Sequence, residues 1–152
     1  MNFDLTEDQA SIVQAVQSVC ARFDMEYWDQ LDVSGTFPHE FYKALCEGGW
    51  LGVAMPETVG GAGLGIVEAA LVMQTIAQSG AGMSGASAVH MNVFGLHPVV
   101  VFGTEEQKAR FLPPLIAGQE KACFGVTEPD AGLDTTKLKT FARKVPGGYS
   151  VT

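Results

Sequence analysis

The residues best suited to chemistry lie together near the end of this 152-residue chain: Phe124-Gly125-Val126-Thr127-Glu128-Pro129-Asp130-Ala131-Gly132-Leu133-Asp134-Thr135-Thr136. An apolar, β-prone start passes into a tight polar loop that carries a glycine. Main-chain N–H groups at the end of a strand, the Thr127 hydroxyl and open amides around Gly132 can meet a polar heterocycle and its pyrophosphate. The acids invite a second reading, since Glu128 with Asp130 or Asp134 could do acid–base work. Their setting beside proline and glycine favours a structural role instead. Asp130 and Asp134 are expected to bond to nearby backbone, and Glu128-Pro129 to form a turn.

Other candidate groups carry less. Gly60-Gly61-Ala62-Gly63-Leu64-Gly65 does not fit G-x-G-x-x-G and follows no clear strand, so it reads as a flexible connector. His90 and His97 lie two helical turns apart with no acid to complete a ligand set, which points to a structural or pocket-lining role and no metal site. His39 is expected to be exposed near a helix start. Cys20, Cys46 and Cys123 are odd in number and lack C-x-x-C spacing. They read as three buried thiols in a reducing, cytoplasmic compartment.

The bulk numbers narrow the class. Hydrophobic residues make up 47% and charged residues 17%, a globular composition whose low charge leaves apolar surface for partner subunits or a further domain. A net charge of -8 without a Lys/Arg cluster argues against nucleic-acid binding. No run reads as the roughly 18 apolar residues that a membrane span needs. Met1-Asn2-Phe3-Asp4-Leu5 is neither basic nor followed by an apolar core, which excludes a secretory signal and disfavours a transit peptide.

The elements that must position the loop are mostly helical. Thr6-Glu7-Asp8-Gln9 is a capping box, followed by Ile12, Val13, Val16, Val19, Cys20 and Phe23 at helical spacing. Residues 28–35 look irregular. Pro38 opens a second helix with Phe41 and Leu45 inward, stopped by Gly48-Gly49. A third helix places Ile66, Ala69, Ala70, Met73, Ile76 and Ala77 on one side and ends at Gly80-Ala81-Gly82. Residues 84–102 show little amphipathicity and read as a central buried helix bent near Gly95 or Pro98. Thr104-Glu105-Glu106-Gln107 caps a last helix with Phe111, Leu112, Leu115 and Ile116 inward and Pro113-Pro114 straining its end. Residues 122–127 are a strand candidate, 138–145 a second, and 149–152 a third after the turn Pro146-Gly147-Gly148. The fold expected is mainly α: a helical domain over 1–120, then the opening strands of an incomplete β-domain over 121–152.

Three segments carry a family resemblance. Residues 124–134 resemble the T-E-P-x-A-G-S-D signature of the acyl-CoA dehydrogenase family. Met55-Pro56-Glu57…Gly60-Gly61…Gly63-Leu64-Gly65 resembles that family's P-E-x-x-G-G-x-G-x loop. Gly103-Thr104-Glu105-Glu106-Gln107-Lys108…Phe111-Leu112-Pro113 resembles its G-T-E-x-Q-K-x-x-x-L-P helix start. All three stand in the family's order and spacing and together span nearly the whole chain.

The resemblance implies an FAD enzyme that oxidises an acyl-CoA to the 2-enoyl thioester and passes electrons to an electron-transfer flavoprotein. It implies an orthogonal, up-down helical bundle, a central β-barrel and a C-terminal four-helix domain, usually in a homotetramer. Phe124, Val126 and Thr127 would line the flavin ring, the last two supplying hydrogen bonds to its polar edge. Gly132 and Leu133 would approach the FAD pyrophosphate and the substrate thioester. The family often holds serine where this chain has Leu133, so Thr135 or Thr136 is expected to supply the missing hydroxyl. Ser87, His90, Met91 and Phe94 would border the acyl chain. The catalytic glutamate, the tryptophan strand over the flavin and the adenine contacts are expected beyond Thr152, so no catalytic residue is assigned here, Glu57 and Glu128 included. Two alternatives stand beside this reading: a non-catalytic split or vestigial helical module that pairs with another chain, and an acyl-CoA oxidase-like flavoenzyme.

Overall fold

A computed structural model describes residues 4–152. The reading of the extreme N-terminus draws in part on Met1, Asn2 and Phe3, which lie outside the described residues. Seven α-helices follow: α1 Glu7–Cys20, α2 Met25–Ser34, α3 His39–Glu47, α4 Ile66–Ile76, α5 Gly82–Phe94, α6 His97–Phe102 and α7 Glu105–Ile116. A hairpin of β1 Ala142–Val145 and β2 Gly148–Val151 closes the described chain. Its antiparallel register pairs Arg143 with Ser150 and Lys144 with Tyr149.

Both capping boxes form as their spacing dictates. Thr6 Oγ1 accepts from Gln9 N at 3.2 Å while Gln9 Oε1 accepts from Thr6 N at 3.1 Å. Thr104 and Gln107 repeat the exchange at 3.2 and 2.9 Å. Each satisfies two of the donors a helix start leaves open. Residues 28–35, expected to be irregular, are instead most of α2. Asp24 caps it by accepting from Tyr27 N at 3.0 Å, and left-handed Gly35 ends it. The helix buries only Trp28, so its apolar periodicity is too thin to read.

One core joins Val16 and Cys20 of α1, Phe41 and Leu45 of α3, Val72 and Ile76 of α4, and Val89 and Val93 of α5. Trp28 meets Phe41 edge-on with ring centroids 4.9 Å apart. A second cluster seats Leu112, Leu115 and Ile116 of α7 on Met55. The buried side of α4 is Ala69, Val72, Thr75 and Ile76. Ile66 and Ala70, expected inward, face solvent, because α1 meets α4 on a stripe rotated from the one anticipated. Phe111 is likewise 40% exposed, one position off the inward face of α7.

The 60–65 loop is less free than its composition suggests. Gly63 N donates to Met55 O at 2.7 Å, Ala62 N to Gly52 O and Leu64 N to Val53 O, both at 3.0 Å. A Cβ at Gly61 would stand inside the Met55 carbonyl, so glycine is required there by close approach. The stretch read as one buried helix is α5 and α6, bent at Gly95 as expected, but only one side of α5 is buried. The helical run Ile66–Phe102 does reach the length and apolarity of a membrane span, contrary to the sequence reading. Left-handed Gly80 interrupts it, and Val72, Ile76, Val89 and Val93 place it in the core. The third thiol also departs from expectation: Cys20 is buried and Cys46 half-buried, but Cys123 is exposed.

Phe41 is fully buried, its ring edge-on to Phe23 and Trp28. Phe41→Ala is expected to destabilise the fold by about 3–5 kcal/mol in urea unfolding, the range for a phenylalanine removed from a core.

Candidate functional site

The site begins with the two sides of α5. Ala86, Val89, Asn92 and Val93 point into the core. Ser87, His90, Met91 and Phe94 fall at i, i+3, i+4 and i+7, the spacing of a single helix face, and that face is turned outward. Ser87 and His90 are exposed and Met91 half-buried. The His90 ring meets Phe94 edge-on at 4.3 Å, and Phe94 meets Phe124 at 6.2 Å and 66°. Thus the helix face and the start of the 124–133 segment form one continuous surface. Gly132 and Leu133 stand apart from it in solvent, Leu133 fully exposed.

The 122–127 segment, expected as a strand, forms none among the described residues and pairs with no other strand there. Strand pairing is non-local, so composition alone could not reveal the missing partner. The consequence is chemical. Among the described residues nothing accepts a hydrogen bond from the N–H groups of Val126, Thr127, Gly132 or Leu133. Main-chain donors rarely go unpaired once covered, so this row of N–H groups suits a ligand rich in acceptors. A flavin edge and a pyrophosphate are ligands of that kind, and the Thr127 hydroxyl beside them adds a further donor.

The acids are spent on shaping the loop. Glu128 N donates to Ala131 O at 3.0 Å and Ala131 N returns a bond to Glu128 O at 3.1 Å, making the expected tight turn. The Glu128 carboxylate accepts from Thr140 N at 2.7 Å and from Lys139 N at 2.8 Å. The Thr140 side chain foremost, and then these two amide bonds, hold its pKa below the ordinary glutamate value. Asp134 accepts from Thr136 N at 3.2 Å and from the Thr136 hydroxyl, and the Thr136 contact with Lys137 behind it lowers its pKa as well. The proton of Thr136 is therefore already committed, which leaves Thr135 as the freer substitute for the hydroxyl absent at Leu133. Asp130 pairs with Lys139 at 3.0 Å. His39 is exposed at the first turn of α3, as expected, and meets Phe37 edge-on at 5.0 Å.

Sequence reasoning missed Asn92. It is 3% exposed in an otherwise apolar stretch. Its Nδ2 donates towards Tyr42 Oη at 2.8 Å, Leu115 O at 3.1 Å and Glu120 O at 3.1 Å. Its Oδ1 accepts from Ala122 N at 3.4 Å. Burial, with Cys46 adding to it, pushes the Tyr42 hydroxyl up to about 12, so it stays protonated within this network. A lone amide at an inward helical position was the available signal, because such a group must be satisfied when buried.

Known proteins resemble this chain in sequence and in fold. The family description "Acyl-CoA dehydrogenase, N-terminal domain" matches residues 6–119. The probable acyl-CoA dehydrogenase YngJ of Bacillus subtilis is 35% identical over 144 residues, covering 93% of this chain and 37% of that protein. The structure of butyryl-CoA dehydrogenase from Megasphaera elsdenii superposes with a TM-score of 0.83 at 30% identity, over 99% of this chain and 40% of that one. An acyl-CoA dehydrogenase complexed with FAD from Bacillus anthracis superposes at 0.76 with 31% identity, over 97% of this chain and 25% of that one. The chain thus spans well under half the length of the relatives it matches.

The clamp on Glu128 gives a pH test. Its folded pKa is depressed, so the hold on the 139–140 backbone is complete above the unfolded-state value and is lost as pH falls through the folded one. The Thr140 amide shift in an NMR titration is expected to move with a midpoint below that of an ordinary glutamate. In Glu128→Gln that titration should vanish.

Proposed function

The chain belongs to the acyl-CoA dehydrogenase family, and from that premise we propose that it supplies the helical domain (residues 1–120) and the start of the middle β-domain (121–152) of an FAD-dependent acyl-CoA dehydrogenase. The observation that carries this reading is the pair of unpaired N–H groups at Val126 and Thr127, close in sequence to Phe124, whose ring meets the outward face of α5, with further unpaired N–H groups at Gly132 and Leu133. FAD bound to the Bacillus anthracis relative supports the choice of ligand.

In this reading Val126 and Thr127 donate to the polar edge of the flavin, and Phe124 lies against its ring. Gly132 and Leu133 offer main-chain N–H groups to the pyrophosphate. Ser87, His90, Met91 and Phe94 border the acyl chain, with the edge-on ring pair excluding water from it. FAD bound there would supply the acceptor for the β-hydride of the acyl thioester. The α-proton leaves to a carboxylate that these residues do not provide. Glu128 cannot serve, since two amide bonds stabilise its ionised form and weaken it as a base. The base, the adenine contacts and the remaining barrel strands come from further polypeptide, as do the contacts of a homotetramer. An electron-transfer flavoprotein in a reducing, cytoplasmic compartment takes the electrons.

Two measurements test this. The enzyme containing this chain, loaded with FAD, is expected to bleach anaerobically on addition of a straight-chain acyl-CoA, whereas the 152-residue polypeptide with added FAD should give no turnover. Robust turnover by the short chain would overturn the assignment of the base, and rapid peroxide formation in air would move the enzyme to the oxidase class. Thr127→Val should weaken FAD binding roughly three- to tenfold, the range for one neutral hydrogen bond, in a fluorescence titration.

A further inference from the structure

Asn92 does more than satisfy itself. Its four bonds reach residues 50, 23, 28 and 30 positions away, joining α5 to Tyr42 of α3, to the end of α7 at Leu115, and to Glu120 and Ala122. The last two residues flank Lys121, whose ammonium lies 3.5 Å from the Phe37 ring centroid and 4.8 Å from that of Tyr42. Residues 120–122 are therefore gripped from two sides. Two residues further on begins the segment with the unpaired donors.

The other side of the same helical turn carries His90, Met91 and Phe94. Glycine at 95 lets the segment come close: a Cβ there would stand 3.0 Å from that of Ala122. One amide side chain thus ties the backbone at 120 and 122, four residues before Val126, to the turn of α5 that carries the outward face. Resting on the proposed FAD-dependent reading, we propose that Asn92 is a positioning residue that sets the flavin-facing N–H groups against the acyl-binding face, so that cofactor affinity and substrate affinity change together when it is altered. A buried amide that served only stability would move neither.

The test uses the FAD-loaded enzyme containing this chain. Asn92→Leu keeps the volume and removes every bond. It is expected to weaken FAD binding about tenfold, to shift the flavin absorption band, and to raise KM for acyl-CoA. Thr75→Val is the control: Thr75 is buried and its hydroxyl bonds only within α4, to Leu71 O at 2.7 Å. It should lower Tm and leave the FAD affinity and the band in place. An Asn92→Leu protein with lowered Tm but FAD affinity, band and KM within about twofold of the parent overturns the proposal. If Asn92→Leu does not fold, Lys121→Met decides. It keeps the stem and removes the charge over Phe37 and Tyr42, and about threefold weaker FAD binding is expected; unchanged binding overturns the proposal. A parent enzyme that holds no FAD defeats the functional reading itself, whereas a parent that holds it beside an indifferent Asn92→Leu defeats only this inference.

Discussion

A buried amide has to be satisfied, and at Asn92 that demand sets where the polypeptide can go. Its carboxamide sits where an apolar helix faces the core, 3% exposed, so each of its polar atoms needs a partner from another element. The partners it finds are the end of α7, the hydroxyl of Tyr42 and the backbone at 120 and 122. Its two N–H groups are shared among three acceptors, and moving the backbone at 122 away would leave Oδ1 unpaired in the interior, which costs more than the bond itself is worth. The helical bundle and the segment that leaves it at 120–122 are therefore held together.

The chain divides its polar groups into two kinds. Carboxylates near the loop are consumed by the fold: Glu128 by two amides, Asp134 by its own helical turn, Asp130 by Lys139. The main-chain donors at Val126, Thr127, Gly132 and Leu133 are left over. A surface whose nearby carboxylates are partnered and whose N–H groups are free suits a ligand rich in acceptors. This division suits the proposed role of these residues as part of a cofactor bed.

Local features were legible in the sequence and non-local ones were not. Thr6 with Gln9, and Thr104 with Gln107, are separated by three residues, so their capping boxes follow from spacing. The break at Gly95 and the hairpin after Pro146 were readable for the same reason. Helix α2 escaped notice although Asp24 and Gly35 bracket it, because it buries one residue and shows no stripe. The inward faces of α4 and α7 were each misjudged at Ile66 and Phe111, where the neighbouring helix and not the residue's own apolarity decides burial. The role of Asn92 spans up to fifty residues of sequence separation and no local pattern encodes it. The loop residues themselves were found through motif resemblance; residue chemistry alone gave them only a general fitness for acceptors.

The most direct test of this account is amide hydrogen exchange on the enzyme containing this chain, with and without FAD. The account predicts that FAD slows exchange at residues 124–133, with the largest effect at Val126 and Thr127, and that acyl-CoA then adds protection along the outward face of α5. Protection confined to other surfaces, such as the cleft of about 360 Å³ beside Trp28 and Asp32, with residues 124–133 unchanged, would contradict it.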